Sequence, residues 1–279
     1  MDLVFSDIHA DMDALELIVD LVTSTEFKKE YGEISRILNL GDVLERGTHP
    51  KQVLEKLSIL QKNYPLVTVM GNHDEAFLYG RRVSGSSLES LDAHSSLTEK
   101  DLEFFQKNKD DSFGQQQFVD KKNGLICVHG GPLDSDKIIP PDAGQESWLY
   151  QKTWQRLSEE DFEFFSYAGF HYKASSAFSE TKTIMENSVI LCGHQHLETA
   201  LRQDKNGIKE IFSITENQTE KLANFLIEKK EFEINPNCNY FIRVGLGGPE
   251  GYYGVGAAKP HFGIVQYNPK KVILFNINP

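Results

Sequence analysis

The chain is short of cysteine and of positive charge, with three cysteines in 279 residues and 29 Lys and Arg against 41 Asp and Glu. Three cysteines, an odd number in a chain of this size, do not make a disulfide framework. Cys127 and Cys192 fall inside apolar strand-like runs, where a free thiol is usually inert packing. A formal net charge of −12 and a pI near 5.2 argue against a nucleic-acid duplex as partner. Binding a duplex backbone needs a basic surface that releases counterions. A small phosphate site made locally positive by metal is untouched by that argument. No apolar run reaches membrane-spanning length, so no membrane partner is expected. The first residues enter a strand pattern at once, without the basic and apolar regions of a secretory leader. These absences set the expectation of a reduced, cytoplasmic, enzyme-sized chain. Its length suits one domain over residues 1–279, with insertions expected near 84–108 and 134–187.

What is present is a recurrent event. Leu3-Val4-Phe5 leads into Ser6-Asp7-Ile8-His9, and Ile37-Leu38-Asn39-Leu40 leads into Gly41-Asp42. Residues 66–70 lead into Gly71-Asn72-His73-Asp74, residues 125–128 into His129-Gly130-Gly131, and residues 189–192 into Gly193-His194-Gln195-His196. Each apolar run reads as a short buried strand that ends in Asp, Asn or His. In open α/β sheets the carboxyl edge of the strands is where ligands are bound. A lone Gly-Asp is an ordinary turn, and a lone His is usually a surface or satisfied core residue. By that standard His49, His94, His171 and His261 are structural, although His171 could reach the site if its segment folds over it. The other five histidines share one position in the architecture, which chance explains poorly.

Asp, Asn and His together suit Mn, Fe or Zn rather than thiolate-selected metals. Asp7 and His9 stand two apart, as do His194 and His196, so each pair can aim at one ion. With Asp42, Asn72 and His129 added, there are enough donors for two ions sharing one carboxylate. Two such cations keep a residual positive field that favours a phosphate oxygen, and a water bound to them is acidic enough to ionise near neutral pH.

Around these ends the pattern alternates strand with helix. Residues 13–29 and 50–63 carry apolar positions at helical spacing, with Asp11 or Asp13 as N-cap of the first and Pro50 in the first turn of the second. A further helix is expected from Asp74, and another over residues 97–107. Residues 118–128 read as a hairpin turning at Lys122-Asn123-Gly124. Residues 84–96 are Ser- and Gly-rich, and residues 134–187 read as an insertion with its own small apolar cluster over the strand ends. Residues 202–237 are polar with weak periodicity and a turn at Asp204-Lys205-Asn206-Gly207. Residues 240–244, 262–267 and 272–277 read as closing strands, with a Gly-rich run over 245–258.

The ordered blocks Asp7-Ile8-His9, Gly41-Asp42 with Arg46-Gly47, Gly71-Asn72-His73-Asp74, Val128-His129-Gly130 and Gly193-His194-Gln195-His196 resemble the calcineurin-like metallophosphoesterase superfamily. The match runs from about Phe5 to His196 and holds all five blocks in order. The resemblance implies an α/β fold, α+β in some schemes: a β-sandwich of two sheets flanked by helices, with two divalent or trivalent metal ions at the strand ends. It places Asp7, His9, Asp42 and His196 on one metal, and Asp42, Asn72, His129 and His194 on the other, with Asp42 bridging. It makes a metal-bridging hydroxide the nucleophile and His73 the group that binds phosphate and protonates the leaving oxygen, oriented by Asp74. Glu45-Arg46-Gly47 resembles the Asp-Arg-Gly of the phosphoprotein phosphatase branch, which sets Arg46 on phosphate oxygens; the alternative is a salt bridge to Glu45 or another loop carboxylate. The Gly-Asn-His-Asp block and the long closing segment look more like small bacterial phosphodiesterases and phosphatases.

This sequence departs from those relatives at Ala10-Asp11, at Gln195 and at Gly245-Leu246-Gly247-Gly248, none of them a proposed ligand. The substrate is therefore open: a phosphorylated small molecule, a phosphoprotein or a dinucleotide polyphosphate. A non-catalytic protein that keeps the fold as an interaction surface is the reading from another class. It is disfavoured because every ligand and His73 are present.

Overall fold

The computed structural model of the chain describes residues 1–81, 85–106, 113–159, 168–250 and 259–278. Residues 251–258 of the Gly-rich run, Ser84, the end of the helix expected to 107, and residues 160–167 of the expected insertion lie outside the described residues.

Two large sheets face each other. The first runs β11 (Gln218–Leu222), β12 (Phe225–Glu233), β15 (Lys270–Asn278), β14 (His261–Tyr267), β1 (Asp2–Phe5), β2 (Arg36–Asn39), β3 (Leu66–Thr68). Its β1, β2 and β3 are parallel neighbours, and the rest pair antiparallel. The second runs β10 (Gly207–Glu210), β9 (Thr199–Asp204), β13 (Asn239–Arg243), β8 (Val189–Cys192), β5 (Leu125–Val128), β4 (Gln117–Asp120), parallel only across β13, β8 and β5. Of the parallel strands, β1, β5 and β8 are buried along their whole length, which is why they read as apolar runs. Val4, Leu38, Leu125, Leu191, Tyr240 and Leu274 fill the space between the sheets.

Helices α1 (Met12–Thr23), α2 (Thr25–Tyr31) and α3 (Pro50–Asn63) cover the outer face of the first sheet. Phe27 anchors α2 there, with ring centroids 4.6 Å from Tyr31, 5.6 Å from Phe275 and 6.1 Å from Phe262. Truncating a buried phenylalanine of this kind costs about 3–5 kcal/mol. The helix expected over 13–29 is two helices. Asp11 caps the first by accepting from Ala14 N at 2.9 Å. Ser24 then leaves helical geometry and caps the second by accepting from Phe27 N at 3.2 Å.

Helix α4 (Asn72–Leu78) follows β3 directly. The Ser- and Gly-rich segment holds a helix, α5 (Leu88–Ser95), capped by Ser87. The helix expected next is a single turn, α6 (Glu99–Leu102), capped by Thr98 and continued as a 3₁₀ turn over Glu103–Phe105. The polar stretch 202–237 contains strands β10, β11 and β12, whose exposed faces hid the alternation. After the short α7 (Ser135–Ile138), residues Arg156–Leu157 and His171–Tyr172 pair as β6 and β7 ahead of α8 (Ala174–Lys182). Here the apolar cluster is shared. Leu133, Leu157, Tyr172 and Phe178 pack with Ile126, Ile190 and Phe241 on the outer face of the second sheet. No helix among the described residues is long and apolar enough to cross a membrane.

Candidate metal centre

The parallel strands β1, β2 and β3 of one sheet and β5 and β8 of the other end on a common edge, and the predicted donors come from the loops that follow and, for Asn72, from the start of α4. Asp7, His9, Asp42 and His196 form one group with donor atoms within 4.8 Å of one another. Asp42, His129 and His194 form a second on the same criterion, so Asp42 belongs to both. Asn72 Oδ1 lies 3.0 Å from His129 Nε2 and joins the second group. All seven predicted donors are thus brought together.

The local backbone explains how loops from two sheets meet. Asp42 Oδ1 accepts the His73 amide at 2.8 Å, and Asp7 Oδ2 accepts the His194 amide at 3.0 Å. These contacts need glycine. A Cβ on Gly71 would fall 2.0 Å from Asp42 Oδ1, and one on Gly193 would fall 2.5 Å from Asp7 Oδ2. Among the described residues, eight of the eleven non-glycine residues at positive φ are Asp7, His9, Ala10, Asp42, Glu45, Arg46, His194 and His196. Such backbone costs of order 1–3 kcal/mol per residue and persists only where its surroundings fix it.

The donors are prepared for cations. His9 Nδ1 lies 3.1 Å from the Leu44 carbonyl, and His129 Nδ1 lies 2.8 Å from that of Leu40. A carbonyl only accepts, so the proton sits on Nδ1 and Nε2 faces the cluster. Asp7 Oδ1, Asp42 Oδ2 and His194 Nε2 are buried without a properly directed hydrogen bond. Buried polar atoms are costly unless satisfied, and three of them converging on two spaces fit positive ions. Burial pushes His9 and His194 well below the usual imidazole range, which keeps them neutral as ligands must be. His129 goes the other way: burial lowers it, but the Asp42 and Asp7 carboxylates and the Leu40 carbonyl together outweigh that and raise it to about 9. Burial would raise Asp42 in turn, yet His129, His73 and His9 hold it well below the usual carboxylate range.

Beside these groups stand His73 and Arg46, with Arg46 Nη2 3.3 Å from His73 Nε2. The other ring nitrogen corrects the sequence reading. His73 Nδ1 lies 2.6 Å from Glu45 Oε2, so Glu45 is the carboxylate that orients it. Asp74 is turned away. Its oxygens accept the amides of Asp42 and Val43 at 2.8 Å, of Leu44 at 2.9 Å and of Gly71 at 3.1 Å. In the first turn of α4 its side chain points back toward the helix start and the Asp42 loop. Burial and the Asp42 charge push Asp74 up to about 7, against the amides of Leu44 and Gly71. Its visible task is to fix the loop that presents Asp42.

Two more side chains bear on the site. Gln195 donates to Leu157 O at 3.0 Å, accepts from Leu157 N at 2.9 Å and accepts from Arg243 Nη1 at 2.6 Å. It ties the strand carrying Arg156 to the loop between His194 and His196. After burial, the Arg156 charge is the main influence that lowers the pKa of His194. In the sequence Gln195 stood out only as a departure from the family pattern between two ligands, and nothing marked Arg156. His171 stays apart. With Lys137, Phe170 and Tyr172 it lines a cavity of about 880 Å³ that contains none of the clustered donors. His261 pairs with Glu198 at 2.7 Å, and His49 lies 3.5 Å from Glu250.

A model of the calcineurin-like phosphoesterase family matches residues 3–198. Among solved structures, a metallophosphoesterase from Sphaerobacter thermophilus is similar at 18% identity and a TM-score of 0.59, covering 100% of this chain and 88% of that one. A hypothetical protein from Pyrococcus horikoshii is similar at 13% identity and a TM-score of 0.58, with the same coverage of 100% and 88%. At these identities the likeness is one of fold. No curated protein sequence matches the chain.

Proposed function

Because this chain belongs to the calcineurin-like phosphoesterase family, a family of phosphoric ester hydrolases, we propose that its clustered donors hold two metal ions and that it hydrolyses a phosphate ester. Asp7, His9 and His196 would hold one ion, Asn72, His129 and His194 the other, with Asp42 shared. The oxygen and imidazole donor set suits Mn, Fe or Zn. Bound cations would supply charge for the phosphate oxygens and acidify a water.

The chain's own residues do the rest. Arg46 offers a planar fork for two phosphate oxygens. His73, with Nε2 beside that fork, delivers a proton to the leaving oxygen. Glu45 accepts a hydrogen bond from His73 Nδ1 and fixes the ring with Nε2 toward the site. Asp74 keeps the Asp42 loop in place through four amides.

The single observation that carries the reading is that two donor groups sharing Asp42 lie beside the Arg46–His73 pair. The test is hydrolysis of 4-nitrophenyl phosphate and bis(4-nitrophenyl) phosphate after the stripped protein is reloaded with Mn, Fe or Zn separately. Uptake of two ions per chain with metal-dependent turnover is the expected result. Uptake without turnover of either ester would favour a binding protein that retains the fold.

A further inference from the structure

His94 is a buried imidazole outside the cluster, only 3% exposed, on the helix α5. Its Nδ1 lies 2.7 Å from the Ser90 carbonyl, one turn back, which places the proton on that nitrogen. Nε2 is left as an acceptor, and it accepts the backbone N–H of Glu45 at 2.7 Å. The Phe77 ring closes one side at a centroid distance of 5.5 Å. Burial pushes the ring's pKa down, which preserves the acceptor.

The same segment reaches the next residue twice. Ser86 Oγ accepts the Arg46 N–H at 3.1 Å. Gly85 lies so close that a Cβ there would fall 2.2 Å from Arg46 Nη1. Glu45 and Arg46 both sit at positive φ, 67° and 69°, a conformation that needs outside support. Three contacts from residues 85–94 therefore end on the two residues that carry the carboxylate on His73 and the guanidinium next to it.

We propose that His94 is a positioning residue, and that segment 85–95 is the brace that sets Glu45 against His73 and Arg46 beside it. The inference rests on the reading of His73 as proton donor. His94 touches no reacting atom; it acts through the Glu45 amide. Without that acceptor the Glu45 N–H is buried and unpaired, and the loop relaxes to satisfy it. The Glu45 carboxylate then leaves His73 Nδ1, and proton delivery suffers most where the leaving group needs it most.

The test uses the full chain loaded with Zn, and reads the Glu45–His73 contact directly. A ring proton held between His73 Nδ1 and a carboxylate resonates far downfield in the proton spectrum, and His73→Asn identifies it. His94→Leu removes the acceptor and should abolish that resonance with zinc content unchanged. His94→Gln restores an acceptor and should bring the resonance back. In parallel, the ratio of turnover on 4-nitrophenyl phosphate to that on phenyl phosphate should rise about tenfold in His94→Leu and return toward wild type in His94→Gln. If His94→Leu does not fold, His94→Asn replaces it, being polar but too short to span Ser90 and Glu45. Persistence of the resonance in the acceptor-less variant, or its absence from the wild type, overturns the proposal. A wild type that turns over neither ester sinks the phosphoesterase reading, while the resonance still decides the role of His94.

Discussion

Glu45 Oε2 lies 2.6 Å from His73 Nδ1, although the carboxylate next to His73 in the chain is that of Asp74. Glu45 thus takes the orienting task that the resemblance gave to Asp74, and variants of the two acids should separate accordingly. Glu45→Gln keeps the shape but not the charge. It should leave metal content and folding intact and lower turnover about 10–100-fold, more for phenyl than for nitrophenyl esters. Equal loss on both esters would show that Glu45 does not act through His73.

Asp74→Ala should instead act on stability. Four buried amides lose their acceptor, and each unpaired donor costs ~1–3 kcal/mol before the loop relaxes. Denaturant unfolding of the variant should show a loss of roughly 3 kcal/mol or more, with weaker metal uptake because the Asp42 loop has moved. A variant as stable as wild type would remove Asp74 from this role.

Asp42 is the donor common to both groups. Asp42→Asn should therefore weaken both metal sites together, whereas His9→Ala should mainly weaken one. Metal analysis of the purified variants decides this, and retention of two ions by Asp42→Asn would remove the shared role.

The pH dependence follows from His129, which burial lowers but the Asp42 and Asp7 carboxylates and the Leu40 carbonyl together raise to about 9 when no ion is bound. A ligand must be neutral, so below that pH each ion entering the second group displaces a proton. Affinity should rise with pH up to about 9 and flatten above it. Near neutrality, calorimetry in buffers of different ionisation enthalpy should record about one proton released per chain from this group. The sign for the metal-free fold is opposite: a pKa raised on folding stabilises fully below the unfolded value, and that stabilisation is lost as pH climbs through about 9.

Arg46 tests the substrate class. A monoester dianion meets both prongs of the guanidinium with charge, whereas a diester has one charge and an ester group in the way. Arg46→Lys should harm monoester turnover more than diester turnover, and Arg46→Ala should widen the gap by ~1–3 kcal/mol. The ratio of kcat/KM for the two ester classes is the measurement. An unchanged ratio would leave Arg46 a structural residue and would not touch the metal donors.

The sequence by itself determined which residues could be donors and where they sit along the chain. A buried strand ending in Asp, Asn or His is a local pattern, and Asp7, His9, Asp42, Asn72, His129, His194 and His196 are all legible in that way. Strands whose faces are both covered announce themselves by composition, as β1, β5 and β8 do. Strands with an exposed face do not, and β10 and β11 were hidden among polar residues for that reason.

The roles of the acids, and what braces them, were decided only in three dimensions. Glu45 reaches His73, 28 positions away, because its loop turns through positive φ while Asp74 is held by four backbone amides. His94 reads as a structural histidine, and it is one, but the amide it holds belongs to Glu45, 49 positions away. Periodicity and spacing report which face of an element a residue occupies; they carry no information on which side chain meets which across loops whose course depends on their contacts.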